Sequence, residues 1–468
     1  MTARLAFLAA TFAAGLPLTP SIAQTAAEIY AVNCASCHGA DLRGGGASSL
    51  ADGDWQYGVG HDQVFRRIKF GIEEMGMPNY QPLLSDAQVN SLVTFIYAAE
   101  AQQGNAKRRP EGKDFKTQLH NFRMETVVAE GSLSNPWAID WVSPTHALIT
   151  EKGGTLRMMV DGKVSPEPVQ GTPPTREHGQ GGLMEVAVDP DYATNSWVYL
   201  AHTHPGQSGL QTRIVRGKIK DNKWIDEQVL FQAKPEHYSN AGVHFGCRIV
   251  FDKKGHLFFA IGDRGNQNQA QDLTRPNGKV HRINRDGSIP KDNPFVSTAN
   301  AYPSIFSYGN RNAQGLAIHP ETDELWATEH GPMGGDELNW IRAGKNYGWP
   351  VITYGKNYNG TIISNLTEKE GMEQPAAQWT PSLAVCGLDF YAGDKFPKWK
   401  NNLLVGALAF QEVRRVEVTA DGKMVNQELL LKNQGRVRDV GVGPDGLVYV
   451  VLNGPDKIVR LVPESSSN

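Results

Sequence analysis

The segment NCASCHGA, which begins at Asn33, contains the residues whose chemistry is easiest to identify. Cys34, Cys37 and His38 form the pattern Cys-x-x-Cys-His, the attachment signature of a c-type haem. The two thiols of such a site bond covalently to the porphyrin, and the histidine ligates the iron. A zinc knuckle would need two more thiol or imidazole ligands nearby, and residues 25–102 contain no other cysteine. The motif therefore predicts haem c.

A second iron ligand is expected in the segment GIEEMGMPNY. Met77, directly before Pro78, is the candidate for the sixth position. A thioether opposite a histidine raises the potential of the iron and suits electron transfer. Met75 is the competing candidate.

Two capping boxes predict the helices that hold this haem. Thr25 with Glu28 begins a helix that ends at the haem motif, and Ser85 with Gln88 begins a second helix. The second helix has an apolar face with i, i+3, i+4, i+7 spacing, formed by Val89, Leu92, Val93 and Ile96. From Thr25 to about residue 100, the order of CASCH, the GMP loop and a final helix resembles a class I cytochrome c. That resemblance implies a small all-α domain.

The first 24 residues predict a cleaved secretory signal. Arg4 precedes the apolar run LAFLAATFAAGLPL, and small residues precede Gln24. The run is shorter than the ~20 residues of a spanning helix, and no other segment is long and apolar enough to span. We therefore expect a periplasmic or secreted protein with no membrane span.

Composition supports a large core and gives no sign of a polyanionic partner. The chain has 468 residues, 40% of them hydrophobic, and a net charge of −3, so nucleic acid is not an expected partner. Four cysteines are too few for a disulfide-built scaffold. The polar segment AQQGNAKRRPEGKD is typical of a linker. The predicted organisation is a signal peptide (1–24), a cytochrome c domain (25–102), a linker (103–120) and a second domain (121–464).

A repeated pattern fills the second domain. Each copy has a β-rich run, a turn built on Asp, Pro or Gly, and another apolar strand, and copies recur about every 50 to 70 residues. The copies are WAIDWVSPTHALIT, VAVDPDYATNSWVYLAH, IVFDKKGHLFFAIGD, LAIHPETDELWATEH, LDFYAGDKFPKWKNNLLVGAL and VGVGPDGLVYVVLN. A β-sandwich would not explain this self-similarity, whereas a β-propeller of about six blades would. The predicted fold is thus an all-β six-bladed β-propeller with a small all-α N-terminal cytochrome c domain.

Five strings in order then resemble one family over essentially the whole second domain. They are AGVHFGCRIVFDKKGHLFFAIGDRGNQ, SYGNRNAQGLAIHP, TEHGPMGGDELN, KNYGWP and QGRVRDVGVGPDG. They resemble the soluble glucose dehydrogenase, aldose sugar dehydrogenase and sorbosone dehydrogenase family. The resemblance implies a six-bladed propeller that uses pyrroloquinoline quinone (PQQ) and calcium.

The resemblance also implies catalytic roles. Oxidation of a hemiacetal by hydride transfer needs a base for the hydroxyl proton and an electron-poor acceptor. His244 matches the base of the family, and Asp263 matches the carboxylate that fixes its tautomer. Arg311 matches the cation that stabilises charge on the quinone oxygen, and Asn312 and Gln314 accompany it.

Further positions match cofactor, metal and substrate contacts of the family. Arg436 and Arg438, two apart on a predicted strand and so on one face, match a pair that binds the PQQ carboxylates. The carbonyls of Gly331 and Pro332 stand where the family holds calcium, and Gln180 matches a glutamine on the substrate side.

Three departures from the family pattern bear on the site. Ala409 stands where the glucose enzymes have a lysine that contacts PQQ, so cofactor affinity is in question. Thr380 replaces a tryptophan that caps the substrate, with Trp379 one residue earlier, which predicts a more open pocket. Cys247 and Cys386 replace small residues at inner positions, and their pairing is left open.

The sequence thus predicts an exported quinohaemoprotein dehydrogenase that converts an aldose to a lactone. Electrons would pass from PQQ to haem c and then to an external acceptor such as a soluble cytochrome or an oxidase. One alternative is a non-catalytic propeller that binds a sugar or a protein, with the cytochrome as a shuttle. Another is the same chemistry on a non-sugar alcohol or a sorbosone-like aldehyde.

Overall fold

The computed structural model describes residues 25–44, 47, 49–51, 61–71, 77–102 and 114–464. The predicted signal peptide, Met75 and residues 103–113 of the predicted linker lie outside the described residues. The described residues form two compact units. One contains those up to residue 54 and from Tyr80 to residue 102, and the other contains 61–71, 77–79 and 114–464.

The first unit is helical and contains the haem motif. Its helices are α1 (Ala26–Asn33), α2 (Ala35–His38) and α4 (Asp86–Gln102), whereas α3 (His61–Phe70) belongs to the second unit. Both predicted capping boxes are confirmed, with Glu28 N donating to Thr25 Oγ1 at 3.3 Å and Gln88 N donating to Ser85 Oγ at 3.3 Å. The predicted apolar face of α4 is buried. In the core, the rings of Tyr30 and Phe95 pack with centroids 5.6 Å apart.

The second unit contains six antiparallel sheets that follow one another along the chain. The short helix α5 (Tyr192–Asn195) lies between two strands. The strands of the first three sheets are β3 (Pro136–Ser143), β4 (His146–Glu151), β5 (Thr155–Val160), β6 (Lys163–Val164); β7 (Leu183–Val188), β8 (Val198–Gly206), β9 (Gly209–Lys220), β10 (Lys223–Phe231); and β11 (Ile249–Phe251), β12 (His256–Ile261), β13 (Lys279–Asn284), β14 (Ile305–Tyr308). The next two are β15 (Ala313–Ile318), β16 (Leu325–Glu329), β17 (Asp336–Ile341), β18 (Ala377–Trp379); and β19 (Val385–Phe390), β20 (Leu403–Ala407), β21 (Glu412–Val418), β22 (Met424–Lys432).

The sixth sheet closes the ring with strands from both ends of the unit. It contains β1 (Asp114–Phe115), β2 (Phe122–Val128), β23 (Arg436–Val442), β24 (Val448–Asn453) and β25 (Lys457–Pro463). The strand β1 lies within the range predicted as linker and pairs with β2. The first strands of successive sheets contact one another from β3 to β23, and β23 contacts β3. This closed ring is a six-bladed β-propeller.

The repeated sequence pattern corresponds to the two inner strands of each blade. WAIDWVSPTHALIT forms β3 and β4, and VGVGPDGLVYVVLN forms β23 and β24. These strands are almost continuously apolar because each blade is buried on both faces by its neighbours. For example, Phe258 of β12 and Leu316 of β15 belong to one buried cluster between the third and fourth blades. The predicted propeller is therefore confirmed.

A buried guanidinium joins four blades at the inner ends of their strands. Arg248, directly before β11, donates from Nη1 to Glu185 Oε2 at 2.8 Å, and its Nη2 lies 3.1 Å from Asp439 Oδ1. Its Nε donates to the carbonyl of Gln314 at 3.2 Å and Nη2 to that of Arg438 at 2.6 Å. Glu185, Gln314 and Arg438 lie on β7, β15 and β23, so one side chain fixes the relative positions of four inner strands.

No helix among the described residues is both long enough and apolar enough to cross a membrane.

Replacement of Arg248 by Met should lower the free energy of unfolding by roughly 3 to 5 kcal/mol, because it leaves two buried carboxylates without their partner. The control is Lys423→Met, since the ion pair of Lys423 with Asp421 is 77% and 62% exposed and ion pairs in solvent contribute little to stability. Urea unfolding followed by circular dichroism measures both. Equal stability of the two variants would show that Arg248 is not a structural centre of the ring.

Candidate active site

The structure brings the predicted base and its carboxylate together. His244 lies in the loop before β11, with φ of 53°, and Asp263 lies just after β12. His244 Nδ1 is 2.6 Å from Asp263 Oδ1, and the two side chains are 13% and 2% exposed. A Cβ on Gly262 would lie 2.5 Å from the carbonyl oxygen of His244. A glycine before Asp263 is therefore what allows the two loops to approach.

The electrostatics of the pair favour a neutral imidazole beside a carboxylate. Burial lowers the pKa of His244 below its usual value, as do the charges of Arg311 and Arg264, while Asp263 opposes the shift. Burial alone would raise the pKa of Asp263, but the hydrogen bond from His244 and the charge of Arg311 lower it. Because Nδ1–H donates to the carboxylate, Nε2 carries the lone pair and can accept a proton.

The loop of His244 is held by two further side chains. Gln180 is exposed, and its Oε1 accepts a hydrogen bond from the backbone N of His244 at 2.8 Å. Arg264 donates to the carbonyls of Ala241 (2.7 Å) and Val243, and its guanidinium lies 3.4 Å from the centre of the Phe245 ring. The role of Arg264 was not predicted from the sequence, although Arg264 directly follows Asp263.

Arg311, Asn312 and Gln314 lie against the same loops. The carbonyl of Arg311 accepts from the backbone N of Asp263 at 2.8 Å. Asn312 Oδ1 accepts from Gly246 N at 3.1 Å and from Gln314 Nε2 at 3.2 Å. The predicted trio is thus tied to the His244–Asp263 pair.

Buried nitrogens at this place without a hydrogen-bond partner in the described structure include Asn312 Nδ2 and His330 Nε2. Burial, with the charges of Arg311 and His244, lowers the pKa of His330 to about 3, so its ring is neutral. Leaving a buried polar group unpaired is costly, and a ligand bound here would supply partners for these two nitrogens.

Gly331 and Pro332 line a cavity, and the propeller residues on its walls include Ala409 and Thr380. The carbonyl of Gly331 accepts from Arg311 Nη1 at 3.0 Å. The buried Asp336 fixes this turn by accepting from Gly331 N at 2.9 Å, and burial raises the pKa of Asp336 to about 6.

The two late arginines differ in their surroundings. The guanidinium of Arg438 lies 3.9 Å from the centre of the Trp137 ring, and its Nε donates to Asn453 Oδ1 at 3.2 Å. Arg436 is exposed at the start of β23. A register shift between Val437 and Asp439 interrupts the strict alternation that the sequence predicts for this strand. Arg438 is therefore the better placed of the two inside the ring.

The structure also shows the positions of the other residues that depart from the family pattern. Cys247 and Cys386 are buried and both are free thiols. Trp379 is buried and donates from Nε1 to Gln427 Oε1 at 3.0 Å, and Thr380 Oγ1 accepts from Gly335 N at 3.0 Å. Thr380 thus borders the cavity, whereas Trp379, on β18 of the fourth blade, packs against the fifth blade.

Trp349 contacts the His244–Asp263 pair, and this contact was not predicted from the sequence. Trp349 donates from Nε1 to Asp263 Oδ2 at 2.9 Å. It lies in KNYGWP, one of the five strings that resemble the family, but no residue of that string was given a role. The contact joins residues that are 86 positions apart, so no local pattern could reveal it.

In the first unit, the single turn α2 presents the haem motif. His38 N donates to the carbonyl of Cys34 at 3.0 Å, and Cys34 and Cys37 are not joined in a disulfide. Met77 is described but belongs to the other unit, and its ligation stays a prediction.

Both parts of the chain match families of known proteins. Residues 133–460 match the family Glucose / Sorbosone dehydrogenase, and residues 22–96 match Cytochrome C oxidase, cbb3-type, subunit III. The chain is 41% identical to aldose sugar dehydrogenase YliI of Escherichia coli over 70% of its length and 89% of that protein. The FixP subunit of a cbb3-type oxidase from Sinorhizobium medicae is 38% identical over 18% of this chain and 29% of FixP.

Two solved structures extend the comparison. The apo form of the E. coli aldose sugar dehydrogenase has 38% identity and a TM-score of 0.69, covering 73% of this chain and 100% of that one. The PQQ-bound aldose sugar dehydrogenase of Streptomyces coelicolor has 25% identity and a TM-score of 0.59, covering 73% and 98%. The chain therefore belongs to the glucose/sorbosone dehydrogenase family, and it carries a cytochrome c domain before the propeller.

Proposed function

We propose that this protein is an exported enzyme that oxidises an aldose to its lactone with PQQ and delivers the electrons to haem c. The observation that carries the proposal is the His244–Asp263 pair, 2.6 Å apart, beside Arg311 and two unpartnered buried nitrogens. A propeller that only binds a sugar would need neither a base nor donors reserved for a cofactor. Family membership supports the same reaction class.

His244 is the proposed general base. Its Nδ1–H bond to Asp263 leaves Nε2 to take the proton of the anomeric hydroxyl, and the lowered pKa keeps that nitrogen free near neutral pH. Asp263 then stabilises the imidazolium that forms, since its own lowered pKa keeps it ionised. Gln180, which already fixes the backbone of His244, is proposed to contact the sugar.

The residues around the pair fit PQQ, a cofactor rich in carboxylate and carbonyl oxygens. Asn312 Nδ2 and His330 Nε2 offer unsatisfied polar contacts, and Arg311 and Arg438 supply positive charge. When bound, PQQ supplies an electron-poor carbonyl that accepts a hydride. Arg311 would stabilise negative charge there. The S. coelicolor relative was solved in a PQQ-bound form, which supports this assignment.

Calcium is proposed at the Gly331–Pro332 turn, where backbone carbonyls are the hard oxygen ligands that this ion prefers. The carbonyl of Gly331 now accepts from Arg311. Asp336 would hold the turn by accepting from Gly331 N.

Haem c is supported by the Cys34, Cys37 and His38 motif and by the cbb3-type match. We propose Met77 as the sixth ligand and a soluble cytochrome or an oxidase as the final acceptor. Export, suggested by the first 24 residues, would supply the compartment in which such acceptors work.

Replacement of His244 by Ala should lower kcat by roughly two to four orders of magnitude, the usual effect of losing a general base. PQQ binding should persist. The matched control is His256→Ala, since His256 pairs with Asp252 at 2.7 Å on the third blade without being part of the site. Steady-state oxidation of aldoses after reconstitution with PQQ and calcium measures both. Near-normal turnover in His244→Ala would remove His244 from the mechanism.

Replacement of Arg438 by Ala should weaken PQQ binding by about 1.5 to 3 kcal/mol, because a charge-assisted contact is lost. Arg436→Ala should have a smaller effect because Arg436 is exposed. Arg216→Ala is the control, since that guanidinium also stacks on a tryptophan, 4.2 Å from the ring centre of Trp197. Binding is measured by calorimetric titration with PQQ. Unchanged affinity in Arg438→Ala would place the cofactor elsewhere.

Haem reduction by sugar should be intramolecular. With the fully reconstituted protein, the first-order rate constant for the appearance of reduced haem should not depend on protein concentration, since a covalent connection fixes the effective concentration. The control mixes the double variant Cys34→Ser, Cys37→Ser, which lacks haem, with His244→Ala, which lacks the base. Haem reduction in that mixture should scale with concentration. The same scaling in the wild type would mean that electrons pass between molecules.

A further inference from the structure

Trp349 is a buried side chain whose position is fixed at its backbone. It is 8% exposed. Its backbone N donates to the carbonyl of Gly309 at 2.9 Å, and its carbonyl accepts from Gln271 Nε2 at 2.8 Å. These two backbone hydrogen bonds therefore fix the position of the indole relative to its neighbours.

The indole N–H completes the hydrogen bonding of Asp263. Oδ2 accepts from Trp349 Nε1 at 2.9 Å, while Oδ1 accepts from His244 Nδ1 at 2.6 Å and from Gly265 N at 2.8 Å. Asp263 is 1% exposed, so water cannot replace a lost partner. With donors on both oxygens, the carboxylate cannot rotate without breaking a bond that nothing else would satisfy.

We propose that Trp349 is a positioning residue for the base: its N–H locks the plane of the Asp263 carboxylate and thereby the tautomer and orientation of His244. This inference rests on the proposed role of His244 in sugar oxidation. The ring of Trp349 also lies 5.5 Å from the guanidinium carbon of Arg311. Trp349 thus contacts both Asp263, the partner of the proposed base, and Arg311, the cation beside it.

The lock has an electrostatic consequence. A donor on Oδ2 draws charge from the carboxylate, so its removal concentrates negative charge next to the imidazole and stabilises the imidazolium. The charged or titratable groups that face His244 are Asp263, Arg311, Arg264 and His330. Trp349 is neutral and acts on His244 only through Asp263. Loss of its N–H should therefore raise the pKa of His244, whereas a purely structural role would change stability alone.

Trp349→Phe removes the N–H and keeps an aromatic ring. The matched control is Trp224→Phe, because Trp224 is also buried and also donates from Nε1 to a carboxylate, Glu227 Oε2, at 2.9 Å in the second blade. The first readout is the titration of the His244 ring by NMR in histidine-labelled protein without PQQ, assigned with His244→Gln. The second is the pH profile of kcat and KM after reconstitution.

In Trp349→Phe we expect the His244 titration and the acid limb of kcat to move to higher pH. We also expect kcat to fall about tenfold, the effect of one lost hydrogen bond to a charged group, with KM little changed. Trp224→Phe should match the wild type in both readouts. An unshifted titration in Trp349→Phe, or an equal shift in Trp224→Phe, would overturn the proposal.

A measurement on the wild type keeps the test decisive if Trp349→Phe fails to fold. The indole N–H resonance of Trp349 should titrate together with His244, and that of Trp224 should not. If the chemical shift of the Trp349 N–H does not change as His244 titrates, the proposal is overturned. Because these NMR readouts need neither sugar nor PQQ, failure of the wild type to oxidise any aldose would refute the proposed function without deciding the role of Trp349.

Discussion

The arrangement of the site depends on the buried guanidinium of Arg248. It precedes the inner strand of the third blade and reaches Glu185, Gln314 and the Arg438–Asp439 segment on three other blades. Two of the carbonyls that it binds belong to Gln314 and Arg438, which we assign to the cofactor site. Without this cation, the carboxylates of Glu185 and Asp439 would be buried and unpaired, which would strongly lower the stability of the fold. The same bonds that hold the ring together thus set the spacing of the cofactor residues.

Aspartates between neighbouring inner strands reinforce the ring. Asp140 accepts from Val188 N at 2.6 Å, and Asp389 accepts from Val442 N at 3.0 Å. Each bond runs from one blade to the backbone of the next, so the inner strands form a rigid frame. The base lies in a loop attached to that frame. His244 and Arg264 both have positive φ, at 53° and 56°, a conformation that non-glycine residues adopt only when the surroundings enforce it.

What the sequence predicted and what it missed have a common physical explanation. The repeated strand–turn–strand pattern is local, so it correctly predicted the two inner strands of each blade. The helix of Val89 and Ile96 was predictable for the same reason, because its apolar spacing lies within one element. The pairing of His244 with Asp263 could be anticipated only because known relatives carry the same strings in the same order.

Contacts that depend on tertiary structure escaped prediction. The bond from Trp349 to Asp263 joins loops of two neighbouring blades. The contact of Arg264 with Ala241 joins the loops before β11 and after β12, which meet only when these strands pair. The bulge at Arg438 likewise depends on pairing with β24, so the sequence implied a regular alternation that the strand does not have. The burial of Asp336 also depends on tertiary contacts, because the backbone N–H groups of Gly331 and Val385 donate to its carboxylate.

The central claim is that the propeller removes a hydride from the anomeric carbon of a sugar and that His244 takes the accompanying proton. The most direct test is anaerobic stopped-flow reduction of the reconstituted protein by an aldose that carries either hydrogen or deuterium at C1, with PQQ and haem absorbance followed in one turnover. The account predicts that deuterium slows the first spectral change by a primary isotope effect. Equal rates for the two sugars, or a haem that is reduced before any change in PQQ absorbance, would contradict it.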